Sequence, residues 1–192
     1  TTCYLAPLYT YRNGVKTPNI NPSLISELTA KYGKLPNEKD ILSYIYAVVY
    51  SNQYRTKYAA FLKTDFPRIP FVENYETFKI LSEIGRELMD LHLMKRKLVS
   101  SVKFDVQGSN VVDFVEYKDG KVFINKEQYF EDVPEKAWNF YIGGYQVLDK
   151  WLKSRKKREL SSSEIEHFIQ IVETINQTIE YMKKIDEKKF LD

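Results

Sequence analysis

Apolar residues recur at helical spacing over most of this chain, and alternate with polar ones in a single stretch between helical segments. "NPSLISELTAKYG" predicts a helix with Asn21 as N-cap, Pro22 in the first helical position and Gly33 as the stop. A second helix starts at Asn37 and places Ile41, Tyr44, Ile45 and Val48 on one face. A third is expected over Gln53 to Lys63, with Tyr54, Tyr58, Phe61 and Leu62 inward. Asn74 caps a long helix reaching to about Lys95, whose stripe is Phe78, Leu81, Ile84, Leu88 and Leu91. The last helix opens with a capping box, Ser161 with Glu164, and carries Ile165, Phe168, Val172, Ile175, Ile179 and Met182 on its apolar face.

"TDFPRIPF" interrupts this pattern. Pro67 and Pro70 disfavour helix at Phe66 and Ile69 and force an extended course. The expectation is a packed crossover with Phe66, Ile69 and Phe71 inserted between helices. Arg68 would then pair with Asp65 or reach outward to a phosphate. "YLAPLYTY" before Asn13-Gly14 reads as a short strand. "KLVSSVKFDV" and "VVDFVEYKDGKVFIN" are β-rich, and Asp119-Gly120 predicts a hairpin pairing Tyr117 with Val122 and Val115 with Ile124. "AWNFYIGG" reads as a further strand or extended buried segment, and "YQVLDKWLKSRK" as a helix. The fold class is therefore α+β: helix-rich, with a small antiparallel β region near 112–125 and a long C-terminal helix. No repeat or low-complexity linker divides residues 1–192, which are expected to form one domain.

Composition narrows the function classes. Hydrophobic residues at 43% and aromatic residues at 15% supply a sizeable core. No stretch approaches the apolar length of a membrane span, so no membrane partner is expected. The first residues carry neither a secretory pattern nor an initiator Met, which suggests the C-terminal fragment of a larger polypeptide. Cys3 is the only cysteine, so no intramolecular disulfide can form and the cytoplasm is the expected compartment. With His92 and His167 the only histidines, a transition-metal cluster of His and Cys is nearly excluded. Both are expected as core or partly exposed residues.

A net charge of +3 says little, but its distribution says more. "KWLKSRKKREL" gathers Lys150, Lys153, Arg155, Lys156, Lys157 and Arg158 with no acid among them, a cluster that attracts phosphates or simply solvates a helix end. Nucleotide-cradling loops of the GxxxxGK[ST] and GxGxxG types are missing, as is a GxSxG elbow. Gly143-Gly144 fits a tight strand-to-helix turn. Asp113, Glu116 and Lys118 imitate the spacing of metal-dependent nucleases. Period-2 geometry, however, puts Glu116 and Lys118 on one face and Asp113 on the other. Tyr44, Tyr54, Tyr58 and Phe61 have the spacing of core residues more than of a base-stacking platform.

Several stretches then resemble one family. "YIYAVVYSNQYRTKYAAFLKTDFPRIPF", "FKILSEIGRELMDLHLM" and "WNFYIGGYQVLDKWLKSRKKREL", with the opening "APLYTY" and "TPNINPSLISEL", are similar to the C-terminal specificity domain of type ISP restriction-modification enzymes and related DNA adenine methyltransferases. The likeness covers roughly residues 4–187. It implies a non-catalytic target-recognition domain that binds double-stranded DNA in bacterial or archaeal defence. The parent it implies joins a nuclease, a helicase-like ATPase and an adenine methyltransferase, so S-adenosylmethionine, ATP and Mg²⁺ would belong to other modules. This chain has no NPPY-type motif of its own. Partners would be duplex DNA and the methyltransferase domain of the same polypeptide. Asn52 stands where the family pattern has proline, and Lys157 where it has glycine. Candidate DNA contacts are the six cations of the basic stretch, Gln107 and Asn110 in one polar loop, Lys118 and Lys121 at the hairpin, and Arg68. Two other readings remain: a helical scaffold docking other domains of the polypeptide without touching bases, and a metal-dependent nuclease built on Asp113, Glu116 and Lys118.

Overall fold

Three asparagines open helices as expected, each by accepting a backbone N–H freed at a helix start. Asn21 caps α1 (Pro22–Tyr32), Asn37 caps α2 (Glu38–Tyr50), and Asn74 caps α4 (Tyr75–His92). Between α2 and α4 lies the short α3 (Asn52–Lys57). The computed structural model describes residues 5–191, so Cys3 lies outside the described residues. Contacts gather the chain into two units: residues up to Leu93 together with those from Tyr181 onward, and Met94–Glu180.

The first unit begins with an antiparallel hairpin of β1 (Tyr9–Arg12) and β2 (Val15–Pro18), turned by Asn13 and Gly14 at φ 49° and 77°. Both turn residues need positive φ, which Asn and Gly tolerate. Its core is the crossing of α2 and α4, where Ile41, Tyr44, Ala47 and Val48 meet Phe78, Leu81, Leu88 and Leu91, all buried. Gly85 permits the close approach: a Cβ there would lie 1.9 Å from the Ser43 carbonyl oxygen. The "TDFPRIPF" strap is the packed crossover the prolines imply. Tyr44 Oη donates to the Pro70 carbonyl (2.7 Å) and accepts from the Val72 N–H (3.2 Å), while Tyr54 Oη donates to the Arg68 carbonyl (2.7 Å). Phe71 stacks on Tyr44 with centroids 5.1 Å apart.

Two expectations change here. Phe66 is 62% exposed, because successive side chains of an extended segment alternate faces: Ile69 and Phe71 turn inward, and Phe66 and Arg68 share the outer side. The third helix stops at Lys57, and a tighter 3-10 turn at Phe61–Lys63 replaces its continuation. Asn52 sits in the first position of α3 and donates to Asp186 Oδ2 (3.1 Å). Ser51 Oγ binds the other oxygen of Asp186 at 2.6 Å.

In the second unit β3 (Glu116–Lys118), β4 (Lys121–Phe123) and β5 (Tyr129–Phe130) form an antiparallel sheet in that order. Tyr117 pairs with Val122 around Asp119-Gly120, as the turn requires. The hairpin is shorter than the expected span: beyond it, the N–H groups of Asp113 and Phe114 both donate to the Ile124 carbonyl, at 2.8 and 3.2 Å. "AWNFYIGG" divides in two. Its first residues belong to α5 (Glu135–Trp138), opened by Pro134, and the rest to a two-stranded hairpin of β6 (Tyr141–Ile142) and β7 (Tyr145–Gln146). Gly143 and Gly144 thus turn a hairpin, with Gly143 at φ 59°. Then follow α6 (Val147–Lys153) and α7 (Ser162–Asp186), which contributes residues to both units. Val112, Val122, Ile124, Phe130, Leu148 and Phe168 are among the residues that close the core.

Segment 98–112 departs most from expectation. It is extended yet forms only single bridges, Lys103 with Glu131 and Val111 with Glu159. Side-chain amides supply the missing ladder partners. Gln170 accepts from the Leu98 N–H (2.7 Å) and donates to its carbonyl (3.0 Å). Backbone groups must be paired when water is excluded, and here carboxamides pair them.

Candidate functional site

The basic stretch leaves α6 at Ser154 and is tied down at once. The Lys157 N–H donates to the Val112 carbonyl (2.7 Å), the Val112 N–H to the Arg158 carbonyl (3.0 Å), and the Leu160 N–H to the Asn110 carbonyl (2.9 Å). Loop 154–160 is thereby latched along 110–112, beside the polar loop that holds Gln107 and Asn110. Lys157 sits at φ 62°, a left-handed conformation that glycine adopts without strain, which accounts for the glycine of the family pattern.

The six cations are not equivalent. Arg155 and Arg158 converge on Glu164, at 3.1 and 2.6 Å. Arg155 also lies over the Trp151 ring, 3.5 Å from its centroid. The Glu164 carboxylate accepts the Ser161 N–H as well, completing the capping box. That backbone bond first, and then the guanidinium of Arg158 and that of Arg155, hold its pKa down at about 2. Lys153 pairs with Asp149 one turn back (2.8 Å), and Lys150 caps the face of Tyr145 at 3.1 Å. Lys156 and Lys157 are exposed and make no side-chain pair among the described residues. Lys150 to Arg158 contains no acid; the pairing acids are Asp149, just before it on α6, and Glu164, in the first turn of α7.

Loop 106–111 wraps around Gln128, which is 1% exposed. Gln128 Nε2 donates to the Val106 carbonyl (2.9 Å) and to Asn110 Oδ1 (2.7 Å). Its Oε1 accepts from the Asn110 N–H (2.7 Å) and from Asn125 Nδ2 (3.1 Å). Asn125 Nδ2 also reaches the Val111 carbonyl at 3.0 Å. Asn110 is at φ 55°, which asparagine tolerates. A Cβ on Gly108 would meet Gln128 Cδ at 2.6 Å, so the loop needs glycine there to close over the amide. Gln107 is exposed and makes no hydrogen bond among the described residues. Beside it lies a cleft of about 510 Å³, lined by Leu98, Phe104, Val106, Gln107, Asn110 and Ile165 among others. The signal for Gln128 was present in the sequence: it shares the period-2 face of Val122, Ile124 and Phe130, where a polar residue must find partners.

Lys118 and Lys121 flank the hairpin turn, at the opposite end of β4 from Ile124 and the loop contacts. Lys118 is exposed, while Lys121 pairs with Glu131 (3.0 Å) and lies 4.1 Å over Tyr129. Arg68 belongs to the other unit. It is exposed, 3.9 Å from Asp65 and 5.1 Å over Phe61, on an aromatic cleft of about 420 Å³ with Tyr54, Tyr58, Ile69 and Pro70. Of the residues singled out in the second unit, the structure joins Asn110 to loop 154–160 through backbone bonds, with Gln107 three residues earlier in the same loop, and the hairpin lysines take no part in these bonds. Among the described residues no cluster of three or more His, Cys, Asp or Glu side chains is placed to hold a metal ion; Asp113 and Glu116 make only two. His92 is half-buried and accepts or shares the Tyr46 hydroxyl (2.7 Å), with burial pushing its pKa below the usual value. No helix is long and apolar enough to cross a membrane among the described residues.

The described residues form a helix-rich α+β scaffold that carries a latched pair of polar and basic loops. The family model described as "Type ISP C-terminal specificity domain" matches residues 2–184, and the chain belongs to that family. Three solved structures share the fold. A Type ISP restriction-modification enzyme, LlaBIII, described as ATP-dependent and bound to DNA, matches with TM-score 0.74 and 20% identity, over 93% of this chain and 13% of its own. A nuclease-deletion mutant of the Type ISP enzyme LlaGI, in complex with a DNA substrate mimic, matches with TM-score 0.66 and 21% identity, over 93% of this chain and 17% of its own. The DrdV–DNA complex, from electron cryomicroscopy, matches with TM-score 0.77 and 23% identity, over 93% of this chain and 21% of its own. The chain therefore spans about a fifth or less of these solved chains. No curated protein matches it.

Proposed function

We propose that this chain is the non-catalytic target-recognition module of a restriction-modification polypeptide, and that it binds duplex DNA through the latched loops 106–111 and 154–160. One observation carries this reading. Three backbone hydrogen bonds latch the loop of exposed, unpaired Lys156 and Lys157 to residues 110–112, the end of the loop that carries the exposed carboxamide Gln107. Cations that meet phosphates set affinity and register, and amide groups that meet base edges set sequence. The structural neighbours, solved with DNA or a DNA substrate mimic, support the same partner. The methyltransferase domain of the parent is the second partner, and S-adenosylmethionine, ATP and Mg²⁺ are assigned to the other modules in the cytoplasm. Hairpin lysines Lys118 and Lys121, and Arg68, are secondary phosphate contacts in this reading.

The test is fluorescence anisotropy of a labelled duplex across a salt series. Each phosphate neutralised contributes about 0.9 to the slope of log K against log salt. Lys156→Ala with Lys157→Ala should reduce the slope by about 1.8; an unchanged slope removes this loop from the interface. A specific feature favours docking as a second role for one face. Tyr141, Ile142 and Tyr145 are each more than half exposed on the β6–β7 hairpin, a patch that suits another protein module better than a phosphate backbone.

A further inference from the structure

Loop 106–111 is polar, exposed and short, features that usually go with mobility. Here its backbone is held from inside. Gln128 binds Val106 at its start and both the N–H and side chain of Asn110 at its end, and Asn125 binds Val111 just beyond. Both amides are buried. Gly108 fits over Gln128 with no room for a Cβ. Ser109 spends its hydroxyl on the Val111 N–H at 3.3 Å. Asn110 Oδ1 accepts from Gln128 Nε2 at 2.7 Å. One polar side chain of the loop is left facing outward without a partner among the described residues, Gln107.

We infer that Gln107 reads an adenine through its major-groove edge, and that Gln128, with Asn110 and Gly108, is the positioning network that fixes where Gln107 points. This rests on the DNA-binding reading above and adds the reader, the base and the supporting residues. The chemistry is that of a carboxamide: one acceptor and one donor side by side match N6–H and N7 of adenine, and no other base offers that pair in the major groove. Such a pair discriminates by geometry, so its backbone must not drift. A loop whose ends are bonded to one buried side chain satisfies that need better than a free one. The lysines of the loop latched to residues 110–112 supply attraction without sequence preference. Asn110, which the sequence suggests as a contact, is thereby assigned to the support and Gln107 to the base.

The experiment selects from a randomised duplex library with the full 192-residue chain, reads the enriched sequences, and then measures salt slopes on the enriched duplex. The wild-type chain should enrich a motif. Gln107→Ala should lose preference at one adenine, by roughly 5- to 150-fold, with the salt slope and thermal midpoint unchanged. Gly108→Ala, which presses on Gln128, should weaken discrimination at the same position. Adding Gly108→Ala to Gln128→Ala should weaken it no further, since the atoms that the methyl group presses on are gone. Gln128→Asn, which retains an amide, should keep part of the preference that Gln128→Ala loses. Overturning results are clear. Salt-dependent binding with no enriched motif, or a Gln107→Ala motif identical to wild type, defeats this inference while leaving the DNA-binding reading standing. No salt-dependent binding to any duplex defeats both.

Discussion

Replacing Glu164 by Gln should strengthen DNA binding, a gain that a damaged fold cannot counterfeit. Glu164 is the one carboxylate that both Arg155 and Arg158 contact, at 3.1 and 2.6 Å. Gln keeps the shape and can still accept the Ser161 N–H, so the helix start survives. What changes is one negative charge beside the latched loop. If that loop meets phosphates, the freed charge adds about 0.9 to the salt slope, or about 3.5-fold in relative affinity between 50 and 200 mM salt. Arg158 is the more exposed of the two arginines and should carry most of the gain. Arg158→Ala in the Glu164→Gln background should therefore cancel it, while Arg155 stays on Trp151. The assay is duplex anisotropy at four or more salt concentrations, with thermal unfolding of each variant alongside. A pH series gives a second arm. The Glu164 pKa is depressed to about 2, so its bonds stabilise the fold fully above the ordinary carboxylate value of 4.5 and are lost as pH falls toward 2. The difference in thermal midpoint between wild type and Glu164→Gln should be flat from about pH 5 to 8 and close below about pH 4. An unaltered slope in a well-folded Glu164→Gln chain would refute the claim that these arginines face DNA.

Lys157→Gly relieves a left-handed backbone and should hold or raise stability by up to about 1 kcal/mol, yet lower the salt slope by about 0.9; Lys157→Ala should lower the slope equally without the relief, and equal slopes for all three would exclude Lys157 from phosphate contact. Gly85→Ala drives a methyl group to 1.9 Å from the Ser43 carbonyl, where backbone must move, so urea denaturation should show a loss of about 3 kcal/mol or more; a wild-type midpoint would show that α2 and α4 are not so closely apposed. Tyr44→Phe strands the Val72 N–H and the Pro70 carbonyl in the strap and should cost about 1–3 kcal/mol in the same assay, with DNA affinity unchanged at temperatures where the chain is folded.

The elements that sequence reveals here are those set by neighbours within one turn. Asn21, Asn37 and Asn74 announce their helices because the bonds they make span two or three residues. Asp119-Gly120 announces its hairpin because both residues must take positive φ. The support of the candidate site stayed hidden for the opposite reason. Gln128 acts on residues 18 and 22 positions earlier, and Gln170 on a residue 72 positions away. Alternating Val and Phe in segment 98–112 signalled strand, and the backbone is indeed extended, but carboxamides take the bonds that another strand would make. The basic stretch was visible as charge. Its division into paired and unpaired cations was not, because Glu164, which takes both arginines, lies on the next helix, and the Asp149–Lys153 pair depends on the i,i+4 geometry of α6. Family likeness supplied the role that charge alone left open, and it also flagged Lys157, a position where the backbone demand is met by an unusual residue.

The division of cations bears on how specificity arises. Three of the six charges in the basic stretch are already matched by Glu164 and Asp149, and a fourth, Lys150, sits on an aromatic face. That leaves little charge free to hold arbitrary DNA, in keeping with a net charge of only +3. A module with strong sequence-independent attraction would settle on the vast excess of wrong sites, and added cations would deepen that loss faster than they improved the right site. Matching the arginines to a carboxylate keeps their guanidinium planes rigid while muting their field. Discrimination must then come from groups held in place at low charge, and the loop bonded over Gln128 is the part of the second unit built that way. Modest affinity with sharp sequence dependence is the behaviour this construction favours, and a salt slope well above about 4.5, the sum for Lys156, Lys157, Lys118, Lys121 and Arg68, would contradict it.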